Sequence, residues 1–151
     1  MPEALGHQCY PVNSAPEAYD IIWANFPYDE EPYNPGPDRH PCLVLSKKVF
    51  LDQRTGNDYA TLQVMYGTSK PQSSKLPPWE YLHVHNYIAL GRCGLFRETY
   101  FIVNRIQKIL WCEEYMPNTE HGSPILGKLP MDYVLQLNKL KEIRDAMRDS
   151  R

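Results

Sequence analysis

Three short stretches carry side chains whose types and spacing could do chemistry. The first is Arg39-His40-Pro41, which places a guanidinium and an imidazole directly before a chain-stiffening proline and the apolar run Cys42-Leu43-Val44-Leu45. A guanidinium offers paired donors to an oxyanion, and an imidazole titrates near neutrality and can move a proton. The plainer reading of the same residues is a loop that happens to end in Arg-His. The second stretch is Gly67-Thr68-Ser69-Lys70, whose hydroxyls and ammonium could hold an anion; the same residues also spell an ordinary strand-ending turn. The third is Tyr81-Leu82-His83-Val84-His85, where alternation puts both histidines on one face. Two histidines so spaced can chelate a metal. No cysteine or carboxylate stands at a convincing ligand spacing to them, so partly exposed strand residues are the simpler reading. Gly91-Arg92-Cys93-Gly94-Leu95 reads as a glycine-punctuated turn and lacks both common nucleotide-loop patterns.

The elements that must position these groups are short strands. Asp20 to Phe26 is β-branched and aromatic and stops at Pro27, which predicts a first, well-buried strand. Residues 27–40 form a long loop with four prolines, acidic at Asp29, Glu30 and Glu31. Loops of that length in small domains are often functional. Strand two is expected from Pro41 to Phe50, since proline suits the first residue of a strand. Arg39 and His40 then sit on a loop at the mouth of a sheet. Strand three is expected over Tyr59–Tyr66, and further strands over Tyr81–His85, Thr99–Val103 and Ile106–Trp111. Residues 112–130 look irregular. Pro130 and Asp132 suit the start of a terminal helix. Val134, Leu137, Leu140, Ile143 and Met147 then form its apolar stripe. Residues 1–18, rich in proline and poor in apolar period, read as a mobile or surface-lying arm, and 19–151 as a single domain. The pattern predicts a mainly β fold with a C-terminal helix, a small barrel or half-barrel.

Composition narrows the classes. The chain of 151 residues is 42% apolar and 23% charged, which is ordinary for one globular domain. No segment approaches the roughly 18 consecutive apolar residues of a membrane span, and the N-terminus lacks the basic-then-apolar order of a signal peptide. Cys9, Cys42, Cys93 and Cys112 form no CxxC pair and match no zinc-ligand spacing, so they read as free thiols in a reducing cytoplasm. No cofactor or metal is called for. The net charge is −2 and unevenly spread: residues 1–40 are acidic and 41–151 basic. That asymmetry permits an anionic partner on the later part of the chain.

Five stretches, in order, resemble the PemK/MazF-like toxin family. Asp20-Ile21-Ile22-Trp23 with Phe26 is similar to its opening Gly-Asp-Ile-Val-Trp strand. Arg39-His40-Pro41-Cys42-Leu43-Val44-Leu45 is similar to its Arg-Pro-x-Leu-Val-Leu strand. Tyr66-Gly67-Thr68-Ser69 resembles the Thr-Ser end of its third strand. Gly94-Leu95 with Thr99-Tyr100-Phe101 resembles its Gly-Leu and the strand after it. Leu126-Gly127-Lys128-Leu129-Pro130 resembles the link to the C-terminal helix in a longer branch of the family.

The resemblance implies an SH3-like β-barrel, a homodimer, and an endoribonuclease held in check by an antitoxin protein. It implies cleavage of single-stranded RNA without metal, by attack of the ribose 2′-OH on the adjacent phosphorus. Carried over, Arg39 matches the family's catalytic arginine, and Thr68 and Ser69 match its hydroxyl pair. His40 stands where the family arginine directly precedes the proline and could serve as general acid or base. Lys70 and Lys47 would contact RNA. Tyr19 stands where the family has a glycine, and Asn104 stands near an acidic position of some members. A second expectation is a non-catalytic module of the same fold that binds protein or nucleic acid, with the acidic 27–38 loop as its contact. A third is a metal hydrolase using His83 and His85.

Overall fold

A computed structural model describes residues 7–117 and 122–149; readings for residues 1–6 and 118–121 lie outside that set. The strands are β1 (Asp20–Asn25), β2 (Arg39–Leu51), β3 (Asp58–Thr68), β4 (Tyr81–Val84), β5 (Thr99–Leu110) and β6 (Ile125–Lys128). They form one antiparallel sheet of order β4-β5-β3-β2-β1-β6. Two helices, α1 (Tyr87–Cys93) and α2 (Met131–Asp149), complete the fold. The expected mainly β architecture with a C-terminal helix is present, as an open six-stranded sheet. No helix among the described residues is long and apolar enough to cross a membrane.

Both faces of the sheet are apolar, because the strands alternate large side chains on each side. The first face gathers Ile22, Ala24, Cys42, Val44, Leu62, Val64, Tyr66, Tyr100 and Ile102. It is covered by Tyr10, Val12 and Ala15 and by the segment Trp111–Met116. The second gathers Ile21, Leu43, Met65, Leu82, Phe101 and Val103, under Ala89 and Cys93 of α1 and Tyr133, Val134 and Leu137 of α2. Leu137 is fully buried, and such burial stabilises the fold by about 1.5–3 kcal/mol per large side chain. The far end of the α2 stripe is different: Ile143 stays 43% exposed.

Several elements differ from the sequence reading, each for a local reason. β2 begins at Arg39, so Arg39 and His40 are strand residues paired with Asn25 and Ala24 and do not lie on a loop. Pro41 pairs with Trp23 on β1, while the ladder to β3 starts only at Cys42–Tyr66; proline has no N–H to donate. The two expected strands 99–103 and 106–111 are one strand. Its register against β3 jumps from Gly67–Phe101 to Met65–Ile106, so the extra residues bulge outward. Arg144 of α2 donates from Nη1 to the Val103 carbonyl in that bulge, at 3.2 Å.

α1 lies where the sequence suggested only a turn. The Asn86 side-chain oxygen caps it, accepting from the N–H groups of Ile88 (2.9 Å) and Ala89 (3.2 Å). Gly94 closes it at φ 72°. β6 lies within the segment that looked irregular and pairs with β1. Residues 7–18 are docked on the first face. Cys9 bridges to Cys112, the Tyr10 hydroxyl donates to the Met116 carbonyl at 2.6 Å, and Ala15 is buried.

Candidate functional site

The first face keeps a polar patch at one end of β2 and β3. Strand register builds it. His83 faces Tyr100, and Tyr100 faces Thr68. Extending the Cys42–Tyr66 register by two residues brings His40 opposite Thr68. One row therefore crosses four strands as His83, Tyr100, Thr68 and His40, a span of about 14 Å at ordinary strand spacing. His83 lies flat on Tyr100, with ring centroids 4.2 Å apart and planes 4° apart. The His85 ring lies beside His83, 4.6 Å away and tilted by 38°.

The centre of the patch is Tyr66. The His40 ring lies 4.8 Å from it and the Phe26 ring 5.2 Å. Over it sits the Arg105 guanidinium, 4.0 Å from the Tyr66 ring centroid and 5.6 Å from that of Phe26. The β5 bulge delivers this arginine to the patch. Among the described residues no carboxylate pairs with Arg105, and its buried Nε has no hydrogen-bond partner. A buried donor left unpaired is costly, so the site is short of an acceptor. Gly67 lets the backbone close in here: a Cβ would collide with the Pro41 carbonyl oxygen and the Phe101 ring.

The charges on His40 define the patch's electrostatics. Burial, the largest cause, pulls the imidazole below its ordinary value. Asp38 opposes that shift, while Lys70 and Arg105 add to it. His40 is therefore a neutral imidazole at pH 7, able to accept a proton. His83 is lowered in the same way, first by burial and then by His85, against Glu98. The buried thiols are poor nucleophiles: burial raises Cys42 strongly and Cys93 to about 11.

Of the residues expected from the sequence, the structure brings together His40, Thr68 and Lys70. Thr68 is buried, and its hydroxyl accepts from the Lys70 N–H at 3.2 Å, so it positions the lysine. Arg39 is one residue out of phase with His40 and is not among the charges acting on it; it acts on the Tyr10 phenol. Ser69 is exposed. Lys47 lies seven residues along β2 from His40, about 23 Å away at ordinary strand rise, and is paired with Glu17 at 2.7 Å.

Asp29, Glu30 and Glu31 are exposed, with Asp29 accepting from Gln107 at 3.4 Å. Arg105 is the residue sequence reasoning missed. The sequence offers only a weak signal for it, the polar pair Asn104-Arg105 interrupting the apolar run after Val103. No family model matches the chain, and no curated protein or solved structure matches it.

Proposed function

We propose that the chain is a metal-independent endoribonuclease of the PemK/MazF-like toxin type, folded as an SH3-like barrel, that cleaves single-stranded RNA at the His40–Arg105 patch. One observation carries the reading. Arg105 is held over Tyr66 at 4.0 Å, beside a half-buried imidazole and, among the described residues, without a carboxylate partner. A guanidinium so placed is ready for a phosphodiester. In this reading the role that the family resemblance gives to Arg39 falls to Arg105.

The chemistry needs few groups. Neutral His40 takes the proton of the ribose 2′-OH as its oxygen attacks the adjacent phosphorus. Arg105 and Lys70 face the charge that develops on the phosphoryl oxygens. The bond from phosphorus to the 5′-oxygen breaks, and protonated His40 returns its proton to that oxygen. The products are a 2′,3′-cyclic phosphate and a 5′-hydroxyl end. By the same resemblance the working form is a cytoplasmic homodimer inhibited by an antitoxin protein.

The test is incubation of the purified chain with a long single-stranded RNA in excess EDTA, with circular dichroism on the same sample. Cleavage leaving 2′,3′-cyclic phosphate ends is expected. A folded wild type that neither cleaves nor binds RNA would sink the proposal. That result would favour the binding-module reading, for which the exposed Asp29, Glu30 and Glu31 are the contact.

A further inference from the structure

The segments that cover the first face hold a second cluster, and the pairing of two distant segments makes it. Tyr10 N–H donates to the Trp111 carbonyl and Glu113 N–H to the Gln8 carbonyl, each at 3.0 Å. These bonds bracket the bridge between Cys9 and Cys112. That makes Cys9 and Cys112 a non-hydrogen-bonded antiparallel pair, the kind that brings opposing side chains closest, about 4.5 Å between Cα atoms. Beyond the bridge the chain turns, Met116 N–H donating to the Cys112 carbonyl at 3.1 Å, and the Glu114 carboxylate comes back against His7. The bridge sets Cys9 against Cys112 and the turn after it sets Glu114 against His7, so two distant segments bring four ligand-type side chains into one neighbourhood.

Side-chain geometry gathers three of the four, with Cys9 tied to them through the bridge to Cys112. Ligand atoms of His7, Cys112 and Glu114 all lie within 4.8 Å of one another. His7 Nδ1 is 3.6 Å from Glu114 Oε1, is buried, and has no hydrogen-bond partner. Glu114 is already oriented, because its Oε1 accepts from the Gln8 N–H at 2.6 Å. Cys112 is fully buried and Cys9 faces it.

We propose that His7, Cys9, Cys112 and Glu114 form a tetrahedral site for a zinc-class divalent cation. Two sulfurs, an imidazole nitrogen and a carboxylate oxygen suit a borderline-soft ion of no geometric preference, and suit calcium or magnesium poorly. Metal bonds of about 2.0–2.3 Å bring tetrahedral ligand atoms to roughly 3.5 Å apart, so His7, Cys112 and Glu114 close with a contraction of about 1 Å and the Cys9 thiol swings in from across the bridge as the fourth ligand. Each thiol releases its proton to solvent as its sulfur ligates the ion. The site joins residue 7 to residue 114, so the ion pins the N-terminal segment across the end of the first face. This inference is independent of the ribonuclease reading.

The experiment is titration of the full chain, kept reduced, with Co2+ alone and then Zn2+ alone. Expected is one ion per chain, with a thiolate-to-cobalt charge-transfer band and tetrahedral visible bands that Zn2+ displaces. Loss of an outer hydrogen-bond partner costs roughly 10–100-fold in metal affinity, and loss of a direct ligand should cost more. His7→Ala and Glu114→Gln replace side chains outside the core, so they keep the test open if Cys112→Ser fails to fold. Each should weaken Co2+ binding by more than about 100-fold. No thiolate-to-cobalt band in the reduced, folded wild type overturns the site. So does a band of unchanged affinity in His7→Ala and Glu114→Gln.

Discussion

The two faces of the sheet are made by the same strands and carry different inventories. The second face, under α1 and α2, is an apolar seam from Ile21 to Leu137. The first face holds the groups that are hard to bury. Four buried polar atoms have no hydrogen-bond partner among the described residues: His7 Nδ1, His83 Nε2, Arg105 Nε and Tyr115 Oη. All four belong to the first face or to the segments covering it. An unsatisfied buried group costs about 1–3 kcal/mol, so the helix-covered face supplies stability while the other holds sites short of a ligand. Removing a side chain from one face should therefore do something different from removing one from the other.

The largest effect is expected from His40→Ala, which should lower RNA cleavage by about 10²–10⁴-fold, the usual worth of a positioned acid–base group. The melting temperature should barely move. A cleavage rate within a few fold of wild type would remove His40 from the chemistry. Next comes Leu137→Ala on the second face. It should destabilise the fold by about 2–5 kcal/mol in urea unfolding, with the cleavage rate per folded molecule unchanged. Lost catalysis at retained stability would merge the two faces into one functional unit.

How far the sequence reveals these faces depends on range. Periodicity is local, so β1, β3, β4 and α2 could be read directly from the order of apolar residues. α1 was hidden because Gly91 and Gly94 spell a turn, while Asn86 signals its cap only once the chain after it is known to coil. β6 has only four residues and exists by pairing with β1. Arg105 could not be placed from spacing, since its position over Tyr66 depends on the β5 bulge. His7, Cys9, Cys112 and Glu114 are separated by about a hundred residues. Their two-residue spacings mean nothing until the bridge between Cys9 and Cys112 is known. His40, Thr68 and Lys70 were legible because each lies in a short run whose side-chain types mark it locally, Arg39-His40-Pro41 and Gly67-Thr68-Ser69-Lys70.

A smaller and more diffuse effect is expected with pH. Burial holds the imidazoles of His40 and His83 below their ordinary value of 6.5 in the folded chain. Between 6.5 and those lowered values the unfolded chain binds more protons than the folded one. Stability is therefore full above the unfolded value, falls as the pH drops through that window, and levels off below it. Urea midpoints measured across the window should show the decline, and His40→Gln with His83→Gln should flatten it. A wild-type midpoint that rises as the pH falls would show that the first face does not hold these rings neutral.

Two arginines lie near the start of β2 and the bulge of β5, and only one of them serves the patch. Arg105 sits on Tyr66 beside His40, while Arg39 is out of phase with it. The deciding measurement is the cleavage rate of Arg39→Ala against Arg105→Ala on the same single-stranded RNA in EDTA, with both variants shown to be folded. A loss of about 10²–10³-fold is expected for Arg105→Ala, as for removal of a donor to developing charge, with Arg39→Ala within a few fold of wild type. The reverse order, with Arg39→Ala dead and Arg105→Ala active, would contradict the assignment of the first-face patch as the catalytic site.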